Sequence, residues 1–462
     1  MLRKLIGDKS FYKNLIKLTL PIMIQNGITN FVNMLDNIMV GAVGTAPMTG
    51  VAIANQLFFV FNLCIFGAIS GAGIFGAQYF GSGDHEGVRN TFRFKLLFCA
   101  ILTALGLALF SLFGEELLLL YMRGEGGLTD AAATLGAAKS YMYIMLIGII
   151  PFALVQCYSS TLREGGSPNL PMTAGVIAVL VNLVFNYILI FGKFGAPALG
   201  VNGAAIATVI SRCVELAVVL IGTHRRSSGY AYMRGVYRTV LVPRRFAWML
   251  FIKGLPLMLN ESLWAAGLAF INQCYSLRGL DSVAAVNISQ TFWNVFSIAY
   301  MALGFAVGIV MGQMLGANRL KEAKEASFRM MAFSFAVSAV FAAIYYVCAG
   351  FIPVVYNTEP EIRTLATTLM RITALMMPLE AIAHASYFII RSGGRMMITF
   401  LFDSCYSWCI MGTLAFCLTH FTALPFITVF AIVQLASGLK ACVGIPLVKN
   451  GFWVQNIVSK ES

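Results

Sequence analysis

Charged residues are scarce in this chain of 462 residues. Asp, Glu, Lys and Arg make up 11% of it, hydrophobic residues make up 59%, and the mean hydropathy is +0.81. So few charges cannot cover the surface of a water-soluble protein of this length. Apolar runs of about 20 residues, each long enough to cross a bilayer as a helix, recur along the chain. The composition therefore predicts an all-α membrane protein with many spans.

Residue types that build catalytic and metal centres are also rare. The chain has only four histidines, which are scattered over loops and two different spans. Its ten cysteines all fall inside apolar spans, and none forms a CxxC pair. A membrane-embedded enzyme would need clustered metal ligands or a nucleophile beside its base. We therefore expect a protein that is not an enzyme and that has no disulfide and no metal or organic cofactor.

One stretch of the sequence is written twice. Pro21–Gly81 aligns without a gap with Pro256–Gly316, so that Gln78 meets Gln313. The constant offset is close to half the chain length, which indicates two equal folding units rather than a short-repeat solenoid. In duplicated carriers the cleft between the halves is the first place to look for function.

The hydropathy pattern predicts twelve transmembrane helices, six on each side of a basic segment. We place them at roughly 14–40, 49–80, 91–113, 137–161, 170–192, 201–222, 247–275, 283–315, 328–349, 363–390, 396–418 and 425–448. Six is an even number, so both halves enter the membrane from the same side and the repeats are parallel. The expected domains are an N-terminal lobe at 1–222, a linker at 223–246 and a C-terminal lobe at 247–462 with a short tail.

Basic residues set the expected orientation. Most of the 32 Lys and Arg residues fall in the N-terminus, the linker and the other segments on one side of this topology. An excess of Lys and Arg marks the cytoplasmic side, so we expect a multi-pass protein of the cell membrane with both termini in the cytoplasm. The same distribution explains the net charge of +13 without a nucleic-acid partner. We expect the linker to lie against anionic membrane lipid.

The first span carries a polar stripe. Asn26, Asn30, Asn33 and Asn37 recur every three or four residues, on one face of a helix, and Asp36 borders them. A charge at the bilayer centre costs about 2.5–3.5 kcal/mol, so an intramembrane acid is a functional candidate by default. Such a face fits a water-filled cavity. The other interpretation is that the amides only bond neighbouring helices.

Further polar groups lie in later spans. They are Asn182 and Asn186 in the fifth, Glu261 in the seventh, Asn287 and Gln290 in the eighth, and Glu380 and His384 in the tenth. We interpret Glu261 as functional. His384 either handles protons or ions, or is a neutral ring bonded to Glu380 or to a carbonyl. We expect Arg212 and Glu215 to pair within the sixth span, and Asp403 to cap the loop around Arg391–Arg395.

The order of these motifs resembles the multidrug and toxic compound extrusion (MATE) transporters over nearly the whole chain. The matching stretches are Pro21–Gly41 with Asp36, Gln78–Gly81 and its repeat Gln313–Ala317, Leu162–Gly166, Arg391–Gly394, and Asn182–Asn186 running on to Gly192. Each motif alone is common. Together, in order and in both halves, they carry the resemblance.

The resemblance implies two pseudo-symmetric six-helix lobes around a central cavity, and a monomeric antiporter that exports organic cations in exchange for Na⁺ or H⁺. It implies that Asp36, Glu261 and Glu380 bind the coupling ion or proton. The substrate cavity would be lined by Asn33, Asn182, Asn186, Asn287, Gln290 and His384. The family usually has Asp at the position of Asn186. Asp36 is therefore the only acid expected to bind the ion or proton in the N-terminal lobe.

Two rival functions stay open at this point. A flippase for a lipid-linked saccharide, from the same broader superfamily, would need a cationic cavity and often has extra spans. A membrane-embedded enzyme would need a catalytic constellation that the chain does not show. A channel is disfavoured by the two-lobed duplication.

Overall fold

The structure is a computed structural model, and it describes residues 7–123, 131–225, 229–239, 241–356 and 358–459. Long α-helices make up most of the described chain, and no β-strand occurs in these ranges. The helices of the first half are α1 (Lys9–Gly41), α2 (Thr45–Ser82), α3 (His85–Arg123), α4 (Ala131–Glu164), α5 (Asn169–Phe191) and α6 (Gly200–His224). They match the six predicted spans and are mostly longer.

The described residues of the second half form eight α-helices. They are α7 (Arg244–Ser276), α8 (Leu280–Phe296), α9 (Ile298–Gly316), α10 (Leu320–Cys348), α11 (Pro360–Ser392), α12 (Met396–Phe400), α13 (Thr413–Phe421) and α14 (Phe426–Asn450). The eighth predicted span corresponds to two helices, α8 and α9, which meet at Ser297; this residue keeps right-handed helical backbone angles (φ −72°, ψ −19°). The eleventh span, Met396–Phe421, consists of α12 and α13 with a π-helical segment between them.

Eleven helices in the described residues are long and apolar enough to cross a membrane. The remaining predicted span is α1, a helix of 33 residues. Its stripe of asparagines and Asp36 lowers its hydropathy, although its length is ample for a bilayer. Each of the twelve predicted spans therefore corresponds to one helix or to a pair of consecutive helices.

The middle of the eleventh span is wound as a π-helix, over Leu401–Cys405 and Ser407–Gly412. Short π-helical turns are rare and frequently occur at functional sites. Here the wider turns carry Asp403, Ser404 and Trp408, whose side chains all bond to groups on α7. A helical pattern of apolar residues gives no sign of this local change, so the sequence predicts an ordinary α-helix.

The chain packs into two compact units. The N-terminal unit contains Ile24–Gly76 and His85–Phe251, and the C-terminal unit contains the residues before Ile24, the short stretch Ala77–Asp84 and the chain from Ile252 onward. The division into lobes at 1–222 and 247–462 concerns which helices move together, and it stays a prediction.

The duplicated motif at the end of α2 meets its own repeat inside the C-terminal unit. A Cβ atom added to Gly81 would collide with the Gln313 carbonyl, and one added to Gly316 would collide with the Gln78 carbonyl. The two glycines therefore allow α2 and α9 to touch backbone to backbone. The buried Gln78 side chain donates to the Ser392 carbonyl at 2.9 Å, which ties this crossing to the end of α11.

The linker is partly folded onto the N-terminal unit. Arg93 Nε donates to the Val236 carbonyl at 2.7 Å, and Arg89 Nη1 donates to the Arg234 carbonyl at 3.2 Å. Tyr158 hydrogen-bonds both His224, at 2.8 Å, and Tyr237. The expected contact of the linker with lipid stays a prediction, and its Arg226 lies outside the described residues.

Candidate functional site

Asp36 lies with Asn182 and Asn186 in the N-terminal unit. Asn186 Nδ2 donates to Asp36 Oδ1 at 2.5 Å and to Asn182 Oδ1 at 3.1 Å. Asn182 also bonds Thr208 on α6 at 3.3 Å. The spacing of Asn182 and Asn186 puts both amides on one face of α5, and this face meets the polar stripe of α1. The fold thus brings together three residues that lie far apart in the sequence.

The Asp36 carboxylate has amides but no basic side chain as its bonded neighbours. In the described part of the chain it takes part in no ion pair. The basic residue Arg212 instead pairs with Glu215 at 3.0 Å, as predicted, and stacks over the Phe152 ring at 5.3 Å. Asn186 also has a buried Oδ1 atom without a hydrogen-bond partner among the described residues. Oxygen atoms from Asp36 and Asn186 are thus available to a cation or a proton.

Glu261 lies in the C-terminal unit and differs from Asp36 in having a basic partner. Its Oε1 atom is 3.9 Å from Arg391 Nη1 and accepts a hydrogen bond from the Tyr387 hydroxyl at 3.3 Å. Arg391 Nη1 also donates to the Tyr387 hydroxyl at 3.3 Å. The carboxylate, the phenol and the guanidinium form one connected network on α7 and α11.

Asp403 forms a second ion pair beside this network. It bonds Lys440 of α14 and accepts a hydrogen bond from Asn260 Nδ2 at 2.9 Å. Asn260 Nδ2 lies 3.3 Å from the Tyr387 hydroxyl, so the two ion pairs are linked. The expectation that Asp403 only caps the Arg391–Arg395 loop is wrong, because the π-helical turn directs its side chain toward α7 and α14.

Lys440 is the main residue that the sequence reasoning missed. It lies ten residues before the end of α14, and by sequence alone a lysine so near the end of the last span is expected among the cytoplasmic charges. The available signal was a lysine inside one apolar span and an aspartate inside the preceding one. Charges buried in a membrane occur in pairs more often than alone. That rule would have predicted the contact of Lys440 with Asp403.

Glu380 and His384 occupy one face of α11 but have separate partners. Ser437 Oγ donates to Glu380 Oε1 at 2.9 Å, and the Tyr300 hydroxyl lies 3.4 Å from Oε2. The His384 ring packs edge-on against Phe388, with 5.0 Å between ring centroids. Its buried Nε2 atom has no hydrogen-bond partner in the described part of the chain, so no Glu380–His384 bond occurs there.

Three predicted cavity residues add little to these clusters. Asn287 is exposed and Gln290 is half-buried on α8, and neither side chain makes a hydrogen bond among the described residues. The side chain of Asn33 lies outside the described residues. The roles of all three stay predictions.

A buried ion pair also links α3 and α4. Lys95 Nζ lies 2.6 Å from Glu164 Oε1 and 2.7 Å from Oε2, and it is further held by Ser160 and Thr161. The carboxylate rests against the backbone of α2, since a Cβ atom on Gly73 would lie 2.7 Å from Oε1. The ammonium has a full set of hydrogen-bond acceptors and the pair is buried, which fits a structural role for the Leu162–Gly166 motif. It was not predicted from the sequence.

A protein-family model described as MatE matches residues 21–188 and 256–409 of this chain. The two matched stretches together cover more than half of the chain, and one lies in each half. The match includes Asp36, Glu261, Glu380 and Asp403, whereas Lys440 lies beyond it.

Curated relatives point the same way. The chain is 29% identical over 300 residues to "Probable multidrug resistance protein NorM" of Thermotoga maritima, and the alignment covers 64% of this chain and 61% of that protein. This chain thus spans less than two thirds of that relative. It is 24% identical over 430 residues to "Probable multidrug resistance protein YoeA" of Bacillus subtilis, covering 91% of this chain and 90% of that protein.

A solved structure described as the outward-facing conformation of a multidrug resistance MATE family transporter of the MOP superfamily has a TM-score of 0.85 with this chain. The identity is 18%, and the superposition covers 100% of this chain and 99% of that one. At this identity the likeness shows the fold, and it confirms the predicted all-helical membrane architecture.

Proposed function

The chain belongs to the MatE family of multidrug and toxic compound extrusion transporters, and on that premise we propose that it is a secondary active antiporter. It exports organic compounds, mostly cationic and amphiphilic, from the cytoplasm in exchange for Na⁺ or H⁺ by alternating access. It works as a monomer in the cell membrane with both termini in the cytoplasm. The family consists of transporters, and the protein is not an enzyme.

One observation carries the proposal: the Asp36 carboxylate accepts a hydrogen bond from Asn186, whose amide also bonds Asn182, and it forms no ion pair in the described residues. A carboxylate in a membrane interior must be neutralised, by a proton or by a cation. Arg212 acts on Asp36 only through longer-range electrostatics and forms its ion pair with Glu215. Because no side chain among the described residues forms an ion pair with Asp36, the coupling ion is the group that fits there. The buried free Oδ1 atom of Asn186 adds a second oxygen ligand.

Exchange follows from competition for this site. A state in which Asp36 holds the coupling ion and a state in which the ion has left differ in local charge by one unit. An ion that binds one conformation better than the other shifts the population toward that conformation, by as much as its differential affinity. In this proposal the loaded and empty states of Asp36 therefore favour different conformations of the carrier.

Glu261 and Glu380 also bind the coupling ion in the proposal, at sites of their own. Glu261 differs from Asp36 in having an ion pair with Arg391. Glu380 accepts hydrogen bonds from Ser437 and Tyr300 and, like Asp36, forms no ion pair among the described residues. His384, Asn287, Gln290 and Asn33 are proposed to line the substrate path.

The alternative of a lipid-linked saccharide flippase requires cationic side chains that are free to bind a phosphate. Two basic residues of the C-terminal unit, Arg391 and Lys440, are each paired with a carboxylate. Arg278 donates to two backbone carbonyls, and Arg163 of the N-terminal unit donates to Gln25. At Arg391 and Lys440 the pairing favours the antiporter over the flippase.

The experiment that tests the proposal uses purified protein in proteoliposomes that contain ethidium. A sodium gradient and a proton gradient are imposed separately, and ethidium movement is followed by fluorescence. The proposal expects movement that depends on at least one gradient and reverses when that gradient is reversed. Ethidium movement that is insensitive to both gradients would refute it.

A further inference from the structure

The Lys440 ammonium occupies a pocket made of a carboxylate and two aromatic rings. Lys440 Nζ bonds the Asp403 carboxylate and lies 5.1 Å from the centroid of the Phe402 ring and 5.9 Å from that of the Tyr406 ring. A carboxylate combined with aromatic faces is the arrangement by which proteins recognise organic ammonium groups. In this protein the arrangement is complete, and a side chain of the protein itself fills it.

The pocket is held in place by groups other than Lys440. Ser404 Oγ donates to Asn260 Oδ1 at 2.7 Å and thereby orients the Asn260 amide toward Asp403. The Tyr406 hydroxyl donates to the Ala436 carbonyl at 2.8 Å, which fixes its ring. The carboxylate and the Tyr406 ring are thus held by bonds that do not involve the lysine. Loss of the lysine would leave the pocket shaped and negatively charged.

A comparison with the other buried lysine separates a binding pocket from a structural ion pair. The Lys95 and Glu164 side chains are 0% and 8% exposed, and two hydroxyl groups complete the bonding of that ammonium. The Lys440 and Asp403 side chains are 13% and 17% exposed. No hydroxyl bonds Lys440 in the described residues. The Phe402 and Tyr406 rings lie near its ammonium, and the Glu380 carboxylate interacts with it electrostatically. The Lys440–Asp403 pair is thus partly exposed and makes fewer hydrogen bonds than the Lys95–Glu164 pair, as a displaceable group requires.

We propose that Asp403, Phe402 and Tyr406 form a subsite for the ammonium head of an alkylammonium compound, and that Lys440 is a tethered occupant which transported cations displace. The inference rests on the proposed function for its role in transport, whereas the binding itself does not depend on transport. Lys440 would then weaken the binding of every organic cation to the same degree, because each must first displace it. The residue therefore sets how concentrated a cation must be to enter.

The direct test removes the Lys440 side chain and adds a free alkylammonium ion that can bind in its place. Lys440→Ala keeps Cβ and removes the rest of the side chain, a propylammonium group; n-butylammonium chloride, the free analogue of the whole lysine side chain, is the probe. We expect n-butylammonium to raise the melting temperature of detergent-purified Lys440→Ala protein, and to bind it at least tenfold more tightly than it binds the wild type. The double variant Lys440→Ala with Asp403→Asn should lose this response, since the carboxylate is gone.

The matched control is Lys449→Ala, which removes an exposed lysine from the same helix. An equal response of Lys449→Ala, or an equal response to sodium chloride at the same ionic strength, would overturn the inference. If Lys440→Ala cannot be purified, Lys440→Gln keeps most of the side-chain volume without the charge. It should still gain affinity for n-butylammonium, and no gain would count against the subsite.

Transport provides a second and separable readout. n-Butylammonium should inhibit ethidium efflux by Lys440→Gln at a concentration at least threefold lower than it inhibits the wild type. Equal inhibition would overturn the displacement step. If the wild type moves no ethidium under any gradient, the proposed function fails, and the n-butylammonium binding result still decides whether the subsite exists.

Discussion

The Lys95–Glu164 pair allows a prediction whose size can be worked from its geometry. Both carboxylate oxygens lie within 2.7 Å of the ammonium, and the lysine side chain is 0% exposed. Removing one partner of a buried pair leaves an uncompensated charge and destabilises a protein by about 3–5 kcal/mol. We therefore expect Lys95→Met and Glu164→Gln each to reduce the free energy of unfolding by about that amount.

The double variant should recover most of the loss. Lys95→Met combined with Glu164→Gln leaves no buried charge, and neutral replacements of similar volume are often nearly as stable as the original pair. The coupling energy in this double-mutant cycle should therefore be at least about 2 kcal/mol. The assay is unfolding in mixed micelles with increasing denaturing detergent, followed by circular dichroism and tryptophan fluorescence.

The control is the Lys139–Glu115 pair, whose side chains are 33% and 47% exposed. Water and salt screen a pair of this exposure, so it adds little to stability. Lys139→Met should therefore leave the free energy of unfolding nearly unchanged. If Lys95→Met were no worse than Lys139→Met, or if the two changes at the buried pair were simply additive, our account of the motif would be refuted.

Three further outcomes follow from the structure. Gly81→Ala should reduce the unfolding free energy by about 1–3 kcal/mol, because its Cβ meets a backbone carbonyl, whereas Gly136→Ala, with nothing within 4 Å, should not; equal stabilities would contradict the close helix crossing. Asn186→Asp should lower the sodium concentration that half-saturates efflux, since it adds a charge beside Asp36; an unchanged value in a flux assay would argue against a cation site there. Tyr387→Phe should weaken drug efflux without reducing expression, because it removes the hydroxyl that bonds both Glu261 and Arg391 and leaves only their ion pair; unchanged efflux kinetics would remove the network from the mechanism.

The sequence was sufficient for features that repeat or that follow helical spacing. The duplicated Gln78–Gly81 and Gln313–Gly316 motifs predicted two related halves, and the structure shows why both keep a glycine. The spacing of Asn182 and Asn186 placed two amides on one face of α5. The structure shows that this face meets Asp36, a contact that periodicity cannot specify because it depends on how α1 and α5 pack.

Features that depend on contacts between helices could not be predicted from the sequence. Lys440 and Lys95 both resembled cytoplasmic charges because each lies within a few helical turns of a predicted boundary. Their partners, Asp403 and Glu164, lie on other helices. The π-helical turns that direct Asp403 toward α14 have no compositional signal, so the position of its carboxylate was open until the backbone was known.

The most direct test of the central claim compares Asp36→Asn with Asp281→Asn, which neutralises an exposed acid at the start of α8. Both proteins are reconstituted in equal amounts, and gradient-driven ethidium movement is measured. We predict that Asp36→Asn abolishes the dependence on the gradient while Asp281→Asn transports like the wild type. Gradient-driven transport by Asp36→Asn at the wild-type rate would contradict a coupling site at Asp36.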